Sequence, residues 1–201
     1  MNPMLRVHDV VKRLGGKRVL NRVSLELDSG ALAVLGANGC GKTTLLRVIA
    51  GVLPTDEGTV TIDGKPAARS RARLGFVPEA ADAPAHLTVD ELLALVAALR
   101  RAPALEADLK QRLGLDATAG QRIGSLSLGQ RRRACLGAAL VGAPPLLILD
   151  EPTNGLDPGG VELLGELLRD QARRGAVLIA THDLPFADAI GARRLDLGLR
   201  L

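Results

Sequence analysis

Residues 36–43 read Gly36-Ala37-Asn38-Gly39-Cys40-Gly41-Lys42-Thr43, followed by Thr44. No other stretch limits the fold as much. Three glycines within six positions allow backbone conformations that a Cβ would obstruct. Such a turn can aim successive N–H groups into one concavity, which suits an anion. An apolar run at 31–35 leads in, and a helix-forming run at 45–50 leads out. The pattern is therefore strand, glycine loop, helix, with the order G-x-x-x-x-G-K-[ST] of a phosphate-binding loop. The helix start adds unpaired donors and the positive end of its dipole. Lys42 can reach β- and γ-phosphates, and Thr43 can hold Mg²⁺.

The 201 residues are 47% hydrophobic, enough for one domain with a real core. The two cysteines, Cys40 and Cys135, do not form a disulfide scaffold, so a reducing, cytosolic setting is expected. No leader and no membrane span are expected. The most apolar region, 134–149, is broken by Gly142, Pro144 and Pro145 and runs into Asp150 and Glu151. Net charge is +4. The runs Arg131-Arg132-Arg133 and Arg69/Arg71/Arg73 read as solvated faces or as packing under a nucleotide. Readers of single-stranded nucleic acid use aromatic platforms. Here there is no Trp, no Tyr, and only Phe76 and Phe186, so no nucleic-acid partner is expected.

Taken in order, 5–11 reads as a strand. Residues 19–27 alternate as a half-buried strand does, and 59–62 form another, closed by the hairpin turn Asp63-Gly64. Residues 74–77 are a short apolar strand ended by Pro78. Thr88 and Glu91 form a capping box, and Leu92, Leu93, Leu95, Val96 and Leu99 make the stripe of the helix that follows. Further helices are expected at 106–113, 131–141 and 158–173. Buried strands are expected at 146–149 and 177–180, and a last strand or two within 194–201. Short apolar strands separated by helices argue for a parallel sheet covered on both faces. The helical section 86–141 reads as an inserted lobe. Residues 1–85 and 142–201 form the core.

The strand at 146–149 ends in Asp150 and Glu151. The carboxyl ends of buried parallel strands are where α/β folds place chemistry. Asp150 fits an Mg²⁺-organising aspartate, and Glu151 fits a general base for the water that attacks a γ-phosphate. His182 follows the strand at 177–180 on the same sheet edge, beside Glu151, and is read as a γ-phosphate contact. His8 and His86 have no such setting and are left structural.

With these motifs in this order, the chain resembles the nucleotide-binding subunit of an ATP-binding cassette (ABC) transporter. The residues that carry the resemblance are 36–44; Leu126-Ser127-Leu128-Gly129-Gln130-Arg131 as the family signature; Asp150-Glu151-Pro152; Asn154-Gly155-Leu156-Asp157-Pro158; and Thr181-His182-Asp183. The resemblance covers essentially the whole chain. It implies an α/β phosphate-loop NTPase core with a parallel sheet, an N-terminal antiparallel β-subdomain and an inserted α-helical subdomain. It also implies a head-to-tail dimer with a second ATP-binding subunit, each ATP lying between one phosphate loop and the partner's signature. Ser127, Gly129 and Gln130 would then meet the partner's nucleotide at a helix start, and Asp157 would touch the partner. Thr43, Glu79 and Asp150 would organise Mg²⁺. Separate transmembrane permease subunits would dock near Glu79 to Leu99, which places the protein on the cytoplasmic face of the cell membrane.

Three departures from the family pattern stand out. Leu14 occupies the place of an adenine-stacking aromatic, with Leu14 or the stem of Arg18 left to pack on the ring. Glu79 replaces a glutamine, as in exporter-type subunits. Leu128 replaces the signature's first glycine. The expected function is ATP hydrolysis that powers transport, with export as the favoured direction. The alternatives are a soluble ABC ATPase acting on ribosomes or DNA, and a catalytically weak regulatory cassette. Cys40, inside the loop and beside Lys42, is in a nucleophilic setting. A thiol reagent is expected to inactivate the protein and Mg-ATP to protect it. Cys135 is expected in the core.

Overall fold

The computed structural model describes residues 3–80 and 82–197. Its centre is a five-stranded parallel sheet. The strands are β3 (Gly30–Leu35), β6 (Leu74–Val77), β7 (Leu146–Asp150), β8 (Ala176–Ala180) and β9 (Arg193–Asp196). They lie in the order β6-β7-β8-β3-β9. β7 pairs with β8 from Leu146 opposite Ala176 to Asp150 opposite Ala180, so the acidic end of β7 reaches the sheet edge from which Thr181 continues.

The continuous apolar runs are explained by burial on both faces. Successive side chains point to opposite sides, and the two sides fill two cores. Leu147, Leu149, Val177, Ile179, Ala31 and Ala33 enter one core with the helices α2 (Val89–Arg100), α4 (Leu128–Leu140) and α5 (Pro158–Arg174). Leu146, Ile148, Ala176, Leu178, Leu32 and Val34 enter the other with α1 (Lys42–Ile49). That second core is roofed by an antiparallel sheet, β2-β1-β4-β5, made of β1 (Leu5–Leu14), β2 (Lys17–Leu27), β4 (Glu57–Ile62) and β5 (Lys65–Pro66). The short α3 (Ala107–Arg112) and α6 (Leu184–Ala189) complete the fold. The fold class is therefore as read from the sequence.

The differences lie in the margins. β1 runs three residues past the expected end, and its register slips between Val7 and Val10. Asp9 there has φ +48°, so Val10 and Val11 are both buried and the alternation fails. α4 starts at Leu128 rather than 131, because Ser127 and Gln130 form a full capping box. α6 was not expected; Asp183 caps it and Pro185 lies in its first turn. β9 covers the front of the expected 194–201 strand, and 198–201 lie outside the described residues. Cys135 is buried, and burial pushes its thiol up to about 11. Among the described residues no helix is long and apolar enough to cross a membrane.

Candidate nucleotide site

The loop between β3 and α1 holds Gly36, Gly39 and Gly41 at φ +144°, +81° and +105°. These are conformations that side chains rarely adopt, so the glycines are required by the path of the chain. A Cβ at Gly41 would also crowd the Val19 carbonyl of β2, which fixes the loop against the antiparallel sheet. Ala37, Asn38 and Gly39 are exposed at the tip, and Cys40 is half-buried with its N–H donating to the Ala37 carbonyl (3.2 Å). Lys42 opens α1 and is buried. Its Nζ donates to the carbonyls of Gly36 (2.8 Å) and Ala37 (3.3 Å), folding the loop around an ammonium. Thr43 is half-buried and Thr44 buried.

Directly beside the loop stands the carboxyl end of β7. Asp150 is 1% exposed, and neither of its carboxylate oxygens has a hydrogen-bond partner among the described residues. Burial pushes its carboxyl above the ordinary value. The neighbouring Thr43 hydroxyl acts against this, while the charges of Glu79 and Glu151 add to it. Buried polar groups are normally satisfied, and an orphaned carboxylate signals a missing partner. A cation bound there would supply that partner and reverse the shift. Thr43 and Asp150, with the exposed Glu79 close enough to raise the Asp150 carboxyl, offer hard oxygen donors of the kind that would suit Mg²⁺.

Glu151 is buried, and its two oxygens face different partners. Oε2 lies 2.9 Å from Nδ1 of His182, and Oε1 lies 4.0 Å from Nζ of Lys42. The backbone around His182 is shaped by bonds of its neighbours. The Thr181 hydroxyl accepts the Asp183 N–H (3.0 Å), and Asp183 Oδ1 accepts the Phe186 N–H (3.0 Å). The structure thus places Lys42, Glu151 and His182 side by side, with Asp150 and Thr43 next to them.

Residues 126–131 lead into α4, whose start lies against the loop after Glu151. Ser127 Oγ accepts the Gln130 N–H (3.2 Å), and Gln130 Oε1 accepts the Ser127 N–H (2.9 Å). The Ser127 amide, expected to face a phosphate, is therefore used within the cap. Leu128 and Gly129 rest against Gly155 of the loop after Glu151. Asp157 caps α5 by accepting the Gly160 N–H (3.1 Å). Leu14 is exposed at the end of β1. One residue of this region escaped the sequence reading. Arg132 was read as part of a basic run, yet its guanidinium is buried and donates to the carbonyls of Glu151 and Glu79 (2.6 Å each). The only signal for it was its position, one helical turn beyond Leu128, in a helix whose following residues, 134–140, are all buried.

The ABC transporter family profile matches residues 20–154. The chain belongs to the ABC transporter family. It is 38% identical over 193 residues to Nod factor export ATP-binding protein I of Burkholderia orbicola, covering 90% of this chain and 64% of that protein. It is 39% identical over 196 residues to aliphatic sulfonates import ATP-binding protein SsuB of Cupriavidus necator, covering 94% and 64%. The chain thus spans slightly less than two thirds of the length of these relatives. A solved ATP-binding subunit of an ABC transporter matches with a TM-score of 0.85 at 28% identity, over 92% of this chain and 82% of that one. A dimeric bacterial ABC transporter cassette shares the fold, with a TM-score of 0.80 at 24% identity over 97% and 95%.

Proposed function

We propose that this ABC family member binds and hydrolyses ATP to power a transporter. The observation that carries the reading is the buried, unpartnered Asp150 carboxylate beside Thr43 and the glycine loop, with Glu151 and His182 at its side. The loop amides and Lys42 hold the phosphates, Lys42 exchanging its loop carbonyls for phosphate oxygens. Thr43, Glu79 and Asp150 would hold Mg²⁺, which, when bound, neutralises charge on the β- and γ-phosphate oxygens. Glu151 accepts the proton of the attacking water. His182 keeps the Glu151 carboxylate turned toward the γ-phosphate position and contacts that phosphate. Leu14 packs on the adenine ring.

On the same reading the site is completed by a second subunit. Its residues 127–130 sit over the nucleotide, and Asp157 lies at the junction. Residues 86–141 act as the signature lobe on the core formed by 1–85 and 142–201. Transmembrane permease subunits dock beside Glu79 to Leu99 at the cytoplasmic face of the membrane. The relatives include export and import proteins. Export is favoured here by Glu79 and by the likeness to Nod factor export proteins. The deciding experiment is Glu151→Gln. It should keep ATP binding, lower phosphate release at least ~100-fold, and trap an ATP-dependent dimer visible by light scattering. Normal turnover in this variant would remove Glu151 from the role of base.

Leu14 and Leu128, both exposed, favour a second reading, a cassette that binds ATP and scarcely hydrolyses it. Tight ATP binding with no phosphate release by the purified wild type would select it.

A further inference from the structure

Arg132 is 6% exposed, and among the described residues no carboxylate lies within 4.0 Å of its guanidinium. Its Nε has no hydrogen-bond partner among the described residues. A buried cation without a close counter-ion is costly to keep, and here its visible bonds are two. Nη1 donates to the Glu151 carbonyl and Nη2 to the Glu79 carbonyl, both at 2.6 Å. One planar fork therefore ties the backbone of two site acids, 72 positions apart in sequence, to the helix that starts at Leu128.

The Glu151 backbone needs such a hold. Its φ is +44°, a left-handed conformation that an L side chain rarely adopts. Strained residues persist where their surroundings over-determine them. The Glu151 N–H donates to Ala180 (2.8 Å), and its carbonyl accepts from Asn154 (3.3 Å) as well as from Arg132. The side chain is thereby delivered to His182 and toward Lys42. Among the described residues, the Arg132 contact is the one backbone hold on Glu151 that comes from outside the sheet edge and its turn.

We propose that Arg132 is a positioning residue for hydrolysis: it locks Glu151 in its left-handed backbone conformation and couples the Glu79 and Glu151 segments to the start of α4. The inference rests on the ATPase reading for its effect on rate, though not for its effect on structure. A shift of the helix start at Ser127 is carried one turn along α4 to Arg132. From there it moves both acids together. A lysine cannot reproduce this, because a single ammonium does not span two carbonyls as the guanidinium fork does.

The test compares wild type, Arg132→Met and Arg132→Lys in the full chain. Two quantities are read: steady-state ATP hydrolysis, and amide hydrogen exchange in nucleotide-free protein. Arg132→Met should lower kcat at least ~10-fold with KM within ~3-fold, the pattern of a misplaced catalytic group. Exchange at 151–156 and 79–80 should speed up about 10-fold while β7 and β8 keep their protection. Arg132→Lys should fall between the two. Unchanged exchange in the loops overturns the proposal. So does faster exchange across all of α4 and β7 with a matching rise in KM, which marks a general packing role. Wild-type behaviour of Arg132→Lys overturns the two-carbonyl clamp. If the wild type does not hydrolyse ATP, the ATPase reading fails, and the exchange result still decides the clamp.

Discussion

Nδ1 of His182 lies 2.9 Å from Oε2 of Glu151, and the two side chains meet across a boundary between wet and dry. The Glu151 side chain is 9% exposed, whereas that of His182 is 64% exposed. The histidine is the partner that can swing without disturbing the core. Replacing it should leave Glu151 in place but free to rotate. We expect His182→Ala to lower kcat about 10- to 100-fold, less than the roughly 100- to 10,000-fold of a group that itself transfers the proton, because His182 orients the base, with KM for ATP within about 3-fold. Steady-state phosphate release over an ATP titration measures both. A variant in which KM rises and kcat does not would make His182 a binding residue only.

Asp150 yields a prediction about stability. Burial raises its carboxyl above the ordinary value in the folded protein. Between the two values the native state binds more protons than the unfolded state. Stability therefore falls as pH rises through that window, and the penalty is fully present above it. Asp150→Asn removes the charge at nearly constant shape. It should raise the melting temperature of nucleotide-free protein at neutral pH by a few degrees, on the order of 1 kcal/mol. It should also abolish the further stabilisation that the proposed site predicts for wild type with Mg-ATP. Thermal unfolding with and without Mg-ATP tests both halves, and an unstabilised apo variant would mean the carboxylate is partnered in solution.

The same contrast between buried runs and particular contacts decides what could be read from the sequence. Strands β7 and β8 were legible because both faces are buried, which leaves unbroken apolar runs, Leu146 to Leu149 and Val177 to Ala180. The loop at 36–43 was legible because its glycines are demanded by local backbone geometry. β1 was legible only in part. Its bulge breaks the alternation, and Lys12, buried against Asp56 at 2.8 Å, looks like a surface residue in the sequence. α6 is six residues with a proline in its first turn, too short to show a period. Arg132 was not legible as a clamp. Its partners are backbone carbonyls, and a carbonyl leaves no mark in residue identity.

Gly75 in β6 shows how closely α4 approaches the sheet. A Cβ there would collide with the Ala139 carbonyl oxygen and with Leu147. That carbonyl is not free to retreat. Arg100 Nη1 donates to it (2.9 Å) and to Val141 (2.7 Å), while Nη2 donates to Leu74 (2.9 Å). Gly75→Ala must therefore separate α4 from β6 or break the Arg100 contacts. Overpacking of this kind costs about 1–3 kcal/mol, a drop of roughly 2–12 °C for a chain of this size. Thermal unfolding followed by circular dichroism is sufficient, and a melting temperature within 1 °C of wild type would show that the helix yields freely.

Leu128 is 53% exposed at the first position of α4, with its side chain lying over Gly155. Ser127 and Gln130 already use one another's donors. The amides left to meet a partner's phosphate are those of Leu128 and Gly129. On the two-subunit reading, a leucine side chain there would take up room that a phosphate and its water would otherwise fill, and its apolar surface could not hydrogen-bond to either. Leu128→Gly should open that space at a cost of roughly 1 kcal/mol in helix propensity. We expect turnover at saturating ATP to rise about 3- to 10-fold, and ATP-dependent dimers to form at lower nucleotide, because one donor aimed at developing charge is worth at least that much. Phosphate release and light scattering measured on the same samples separate the two effects. Slower turnover with normal folding would show instead that Leu128, through its contact with Gly155, holds the loop after Glu151 in its working position.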